Sequence, residues 1–268
     1  MKALVLLLLS VAPAAADPCA SWLADPMPTP VEDVGMDIQR GACLRSDLSS
    51  ELLTHVLIDS PGFYGDLGAG LAIAARKTIT PHVELGARLR AADYTFVQTA
   101  VTKATELRDG PLVVRATVGT SDATTHVAVT AALELPYTRD SLDTMHTSAQ
   151  LGALVTHPLF ADRVALHARL GATTAYAMSA GGSFSRLGFV AGTDAVWRWR
   201  ARTAILGGAD LGAGWNGGFD GVTLRAGIQH AFAFDANRWL GAAGLALPIL
   251  GNERTNAILD LTLVRALE

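Results

Sequence analysis

The chain has 268 residues and is poor in charge, in lysine and in aromatic rings. Charged residues make up 17%, below the roughly 25% usual in soluble domains. Lysine occurs only at Lys2, Lys77 and Lys103, and the formal net charge is −4, so the sequence offers no basic surface for nucleic acid. A hydrophobic fraction of 50% excludes an intrinsically disordered chain.

Long hydrophobic runs are also missing. The main apolar run lies in residues 1–16, which begin with one positive charge at Lys2 and end in Ala14-x-Ala16. This arrangement is typical of a secretory signal peptide, and the run is shorter than the ~20 residues that a membrane-spanning helix needs. We predict Sec-type export and cleavage before Asp17. No later stretch reaches 18 uninterrupted apolar residues, which excludes helical membrane spans.

Cysteine occurs only twice, at Cys19 and Cys43. In an exported protein an even number of cysteines predicts a disulfide. The residues between them include Pro26, Pro28 and Pro30 and show no periodicity, and proline at that density disfavours both helix and strand. We therefore predict that residues 17–45 form an irregular, disulfide-tied leader on the periplasmic side.

The rest of the chain alternates apolar and polar residues. In residues 82–91, Val83, Leu85 and Leu89 alternate with Glu84 and Arg88, which places the two kinds of side chain on opposite faces of a strand. Residues 163–172, 222–229 and 258–264 repeat the pattern. A helical period would mix arginine with leucine on one face.

Weaker alternation fills the intervening sequence and predicts twelve strands in total. These weaker strands are at about 47–58, 63–76, 110–119, 125–136, 147–157, 186–199, 203–215 and 238–250. Short links alternate with longer ones at 98–109, 137–146, 177–185, 216–220 and 251–254, as in an up-and-down antiparallel transmembrane β-barrel. Aromatic residues cluster at the strand ends, where the two membrane interfaces would lie. A soluble β-sandwich or a lipocalin remains an alternative, and residues 240–249 also suit a buried helix.

In these features, residues 46–268 resemble the outer-membrane β-barrel proteins of Gram-negative bacteria. The stretches Asp59-Ser60-Pro61-Gly62-Phe63-Tyr64-Gly65 and Tyr94-Thr95-Phe96-Val97-Gln98 look like those of uncharacterised members of this group. The resemblance implies a location in the bacterial outer membrane. The chain departs from the group at its end, where Leu267-Glu268 replaces the usual terminal aromatic residue.

If leucine and valine face lipid, the opposite face lines the lumen. The predicted lumen-facing residues are Glu51, His55, Glu84, Arg88, Arg90, Arg115, Glu134, Arg163, His167, Arg169, Asp194, Arg198, Asp210, Arg225, Gln229 and Asp260. Both signs of charge occur among them. They either pair into a network that closes the cylinder or line a narrow polar passage.

These observations predict a monomeric barrel that acts as a narrow passive channel for small polar or amphipathic molecules, with membrane lipids around it. A non-conducting structural protein, or one whose loops 98–109, 137–146 and 177–185 bind a partner, is the second hypothesis. A lipid-modifying enzyme is the third, since His146 lies near Ser141 and Ser148. The histidines show no metal-ligand spacing and no glycine-rich phosphate loop is present, so we predict no metal, no cofactor and no catalytic site.

Overall fold

The computed structural model describes residue 19 and residues 41–59, 64–98, 103–108, 112–120, 124–135, 145–160, 163–179, 182–214, 218–234, 237–251 and 257–267. The predicted signal peptide and most of the leader lie outside these ranges. Within some strands, including at His55 and His146, only the backbone is described. No helix in the described part of the chain has the length and apolar character needed to cross a membrane.

The described residues form one antiparallel sheet that closes on itself. Its strands are β1 (Asp47–Asp59), β2 (Tyr64–Thr80), β3 (Val83–Gln98), β4 (Lys103–Arg108), β5 (Leu112–Gly119), β6 (His126–Leu135), β7 (Met145–Leu159), β8 (Val164–Ser179), β9 (Gly182–Arg200), β10 (Thr203–Gly214), β11 (Gly218–Phe234), β12 (Asn237–Gly251) and β13 (Ala257–Leu267). Apart from β4 and β5, which both pair with β3 and not with each other, each strand pairs with its neighbours in sequence, and β1 pairs with β13 to complete the ring.

Two of the strands share one position in the ring. β4 pairs with Asp93–Gln98 of β3, and β5 pairs with Val83–Leu89 of the same strand. The thirteen segments therefore make a twelve-stranded barrel, which confirms the predicted fold class and strand number. Residues 240–249 belong to β12, so the helical alternative for them is wrong.

Most strands are longer than predicted and several loops are correspondingly shorter. Residues 103–108 of the predicted loop 98–109 form β4, and the predicted loop 177–185 contracts to residues 180–181 between β8 and β9. Residues 218–220 of another predicted link belong to β11. The loop predictions were wrong here because ladder hydrogen bonds join backbone groups and do not require alternating side chains.

Side chains alternate between the two faces of the barrel wall as predicted. Along β6 every second residue from His126 to Ala132 is buried, and those between them are exposed. The outer face carries exposed leucine, isoleucine and valine, among them Leu71, Leu133 and Leu170. We call the end of the barrel where β1 begins and β13 ends the terminal end, and the other the far end.

Aromatic residues lie near both ends of the outer surface. Trp197, Trp199 and Phe232 are exposed near the terminal end, and Tyr94 and Tyr176 are exposed near the far end. The predicted aromatic positions Phe63, Tyr137 and Trp215 lie outside the described residues. Two aromatic bands separated by an aliphatic zone are typical of proteins that meet two membrane interfaces.

Candidate functional site in the barrel lumen

Most of the predicted lumen-facing residues lie inside the barrel wall. Glu51, Glu84, His167, Asp194, Gln229 and Asp260 are buried. Arg88, Arg90, Arg115, Glu134, Arg169, Arg198, Asp210 and Arg225 are partly buried. Arg163 differs from the others, because it lies exposed in the turn before β8. The side chain of His55 lies outside the described residues, although its backbone pairs with Asp260 of β13.

Four of these residues form a closed ring of ion pairs, which we call the quartet: Arg169 of β8, Asp194 of β9, Asp210 of β10 and Arg225 of β11. Arg169 Nη1 lies 2.8 Å from Asp194 Oδ2, and Arg169 Nη2 also contacts Asp210 Oδ1. Arg225 Nη2 lies 2.9 Å from Asp194 Oδ1, and Arg225 Nε lies 2.7 Å from Asp210 Oδ2. Each arginine thus contacts both aspartates, and the formal charge of the quartet is zero.

Two glycines, which have no side chain, leave the space that the quartet occupies. A Cβ atom added to Gly192 would touch Asp210 Oδ1 and approach the Arg169 guanidinium to 2.9 Å. A Cβ atom added to Gly208 would overlap Asp194 Oδ1. Any side chain at either position would therefore displace a charged group of the quartet.

A second set of charges lies across the lumen on β1–β3. Arg88 Nε donates to Glu51 Oε2 at 2.9 Å, and Arg76 pairs with Asp47 near the terminal end. On the β6–β7 side, Ser148 Oγ donates to Glu134 Oε2 at 2.7 Å. Paired charges on the inner wall are what a low-dielectric interior requires.

The lumen also contains part of the chain that precedes the barrel. Residues 41–46, which we call the inserted segment, run inside the wall before β1 begins. The backbone N–H of Ala42 donates to Thr156 Oγ1 at 2.8 Å, and that of Arg45 donates to Glu84 Oε2 at 2.6 Å. Ala42 is fully buried against Ala128, Leu154 and Val190.

The inserted segment shows where the end of the leader lies, which the sequence leaves open. Proline and missing periodicity mark residues 17–45 as irregular but do not indicate whether they enter the lumen. Irregular backbone can nevertheless lie in a barrel when the wall supplies partners for its polar groups, as Thr156 and Glu84 do here. The disulfide prediction is confirmed, since Cys19 is bonded to Cys43, which is fully buried.

Some apolar residues face inward, contrary to the rule that leucine and valine face outward. Val196, Leu240 and Val264 form a buried cluster with Ala165 and Ala204, near the terminal end of β8–β13. The alternation of side chains along a strand could have predicted this cluster, because Val196 is two residues from Asp194 and so lies on the same face.

A cavity with about 460 Å³ of empty space lies between this apolar cluster and the quartet. Asp194 and Arg225 of the quartet line it, together with Gln229, Asp260 and Thr262. Its wall on β10–β12 consists of small residues, including Gly208, Gly227, Ala242 and Gly244.

Of the three residues considered for catalysis, only Ser148 has a described side chain. Ser148 is buried on the inner face and donates to a carboxylate, whereas lipid hydrolysis would need a serine at the lipid-facing rim. The side chain of His146 and all of Ser141 lie outside the described residues. In the described part of the chain, no three His, Cys, Asp or Glu side chains are placed to hold a metal ion.

No protein-family model matches the chain, and no curated protein matches its sequence. Solved structures do match the fold. The COG4313 outer-membrane channel from Pseudomonas putida F1 superposes with a TM-score of 0.62 at 11% identity, covering 96% of this chain and 100% of that one. The translocator domain of the autotransporter NalP from Neisseria meningitidis has a TM-score of 0.52 at 12% identity, with coverages of 87% and 91%.

The NanC porin has a TM-score of 0.50 at 7% identity, covering 81% of this chain and 99% of that one. At such low identities the likeness concerns the fold. The resemblance that the sequence indicated is thus confirmed at the level of structure: this chain has the architecture of the Gram-negative outer-membrane β-barrels.

Proposed function

We propose that this protein is a monomeric barrel of the bacterial outer membrane and a narrow passive channel for small polar or amphipathic molecules. The observation that supports it best is the inner face, where charged and small residues surround a lumen that the inserted segment narrows. Two structurally similar proteins are themselves described as a channel and a porin.

The outer surface supports the membrane location. Leu71, Ile73 and Leu170 are each at least half exposed, and they belong to a broad aliphatic zone between the two aromatic bands. Such a surface is stable against acyl chains and would aggregate in water. The pairing of β1 with β13 also closes the ring, so these two strands present no open edge to lipid.

The contents of the lumen favour a narrow channel rather than a wide pore. Eight-stranded barrels are filled by side chains and barrels of ~16 strands enclose an aqueous channel, so twelve strands leave an intermediate lumen. Here the quartet occupies the β8–β11 side, and the inserted segment lies between Thr156 and Glu84. We therefore expect only small solutes to pass.

Single-channel recording in planar bilayers tests the proposal. We expect small stepwise currents from the purified protein and larger ones from Ala42→Asp. Ala42 is fully buried against the wall, so an aspartate there would expel the inserted segment from its position. Ser46→Asp is the matched control, because Ser46 is exposed in the same segment.

The absence of steps from both the native protein and Ala42→Asp would contradict the channel. That result would favour the second candidate, a non-conducting barrel, which the ion pairs within the quartet also support. The partner-binding form of this candidate depends on three predicted loops, and strands occupy part of two of them, 98–109 and 177–185. Residues 137–144 of the third loop lie outside the described residues.

A further inference from the structure

We infer that the cavity between β10 and β13 binds a small zwitterion of the amino-acid type, with its carboxylate on Arg225 and its ammonium group on Asp260. The inference rests on the proposed function only for the entry of the solute into the lumen. Binding to the folded protein can be measured whether or not the protein conducts.

Arg225 supplies the donor for a carboxylate. Its side chain is 7% exposed, its Nη2 atom donates to Asp194 Oδ1, and its Nε atom lies 2.7 Å from Asp210 Oδ2. Its Nη1 atom is buried without a hydrogen-bond partner among the described residues. Arginine has five N–H donors, and a buried N–H group without an acceptor is costly, so this guanidinium favours a ligand that supplies one.

Asp260 supplies the acceptor for an ammonium group. It is 2% exposed and lines the same cavity. A carboxylate accepts several hydrogen bonds, so it can bind a ligand in addition to its protein contacts. On the sheet, Asp260 of β13 pairs with Gly244 of β12, which pairs with Gly227 of β11, two residues from Arg225.

The register sets the distance between the two charges. β11 and β13 are two strand spacings apart, or about 10 Å. Both side chains extend into the cavity, which shortens the gap that a ligand must bridge. An α-amino acid with one charge-assisted hydrogen bond of ~2.8 Å at each end spans a gap of this order.

The shape of the cavity limits the size of the ligand. Gly227 and Gly244 contribute no side chain between Arg225 and Asp260, which leaves room for the backbone atoms of an amino acid. Ala242 and Leu206 add apolar surface on the side of the buried apolar cluster. This surface suits a short aliphatic side chain such as that of alanine.

The charges favour a zwitterion over a simple ion. A monocarboxylate would gain Arg225 but would lie near the carboxylates of Asp194 and Asp260. A monoamine would gain Asp260 but would lie near the Arg225 guanidinium. A molecule that carries both charges satisfies both residues and leaves the net charge of the lumen unchanged.

The test is equilibrium dialysis of radiolabelled L-alanine against the folded full-length protein in detergent, with propionate and ethylamine as the singly charged comparisons. We expect alanine to bind at least about tenfold more tightly than either comparison, since each binds through one charged contact fewer. Asp260→Asn should weaken alanine binding by about tenfold, whereas Glu134→Gln, on the β6–β7 side of the lumen, should leave it unchanged.

A pair of size variants tests the location. Ala242→Leu places a larger side chain in the cavity and should abolish binding, whereas Ala153→Leu places the same side chain on the exposed outer face of β7 and should not. Both variants must retain the strand content of the native protein in circular dichroism. No alanine binding to the native protein, or equal binding by the two leucine variants, would overturn the inference. Conductance that persists in that case would leave the channel proposal standing.

Discussion

At the scale of single residues, the quartet is the main electrostatic feature of the lumen. Two arginines and two aspartates are removed from bulk water, and each retains partners of opposite charge. A buried ion pair adds little net stability compared with an apolar pair, but removal of one partner leaves an uncompensated charge. The quartet therefore couples four consecutive strands, β8 to β11, through their side chains.

The first prediction concerns the loss of one charge. Arg169→Gln should lower the free energy of unfolding by about 3 kcal/mol, because the buried Asp194 and Asp210 then share Arg225 alone. Urea unfolding in lipid vesicles measures the change. Arg200→Gln is the control, since Arg200 is exposed and contacts the Trp199 ring, and it should change the stability by less than about 1 kcal/mol. Equal effects of the two variants would show that the quartet is not a coupled unit.

The second prediction concerns the space beside the quartet. Gly208→Ala should destabilise the barrel by about 1–3 kcal/mol, because its Cβ atom overlaps the Asp194 carboxylate and the wall must shift. Gly207→Ala is a matched control one residue away on the outer face, where an added Cβ meets no atom within 4 Å. The same unfolding measurement applies, and a Gly208 variant as stable as the Gly207 variant would contradict the tight contact.

At the scale of elements, each strand presents one face to the lumen and one to the outside. In β2 the outward residues Leu71 and Ile79 have similar exposures, 55% and 58%, but differ in height. Leu71 is near the middle of the strand and Ile79 is near its terminal end. Substitutions of these two residues therefore separate the effect of depth in the membrane on stability from the effect of side-chain exposure.

The third prediction uses this pair in a membrane. Leu71→Arg should destabilise the barrel in vesicles by about 2–4 kcal/mol, whereas Ile79→Arg should destabilise it by about 0–1 kcal/mol, because a charge at the bilayer midplane is desolvated and one at the interface is not. Reversible folding of each variant into vesicles, followed by tryptophan fluorescence, measures both values. Equal costs at the two depths would contradict a membrane around β2.

At the scale of the whole molecule, closure depends on the pairing of the first strand with the last. β1 and β13 are aligned from Leu48 opposite Leu267 to Ile58 opposite Ala257. Without this pairing both strands would present open edges, which lipid does not satisfy. The ring is therefore stable only as a unit.

The fourth prediction follows from closure. Removal of residues 257–268 should abolish the folded barrel, because β1 and β12 would each keep an unpaired edge. The folded native protein should migrate differently in SDS electrophoresis before and after boiling, and the truncated chain should migrate identically in both cases. Removal of Glu268 alone, which lies beyond β13, should preserve the heat-dependent shift.

The sequence by itself determined the fold class, because the side-chain period of two is a local property of a strand. Residues 82–91 and 163–172 show it plainly, and the structure contains β3 and β8 there. The disulfide could also be predicted from the sequence, since the chain contains only two cysteines. The inner position of Glu84, His167 and Asp260 followed from parity alone.

Only the tertiary structure decided how the inward groups combine. The members of the quartet are up to 56 residues apart in the chain, from Arg169 to Arg225. Alternation predicts which face of a strand a side chain lies on, but not which side chains of other strands it contacts. The position of the inserted segment could not be predicted for the same reason. The N–H of Ala42 donates to Thr156, 114 residues away, and the two residues are close only in the closed ring. Contacts across a lumen depend on register and closure, and neither is a local property of the sequence.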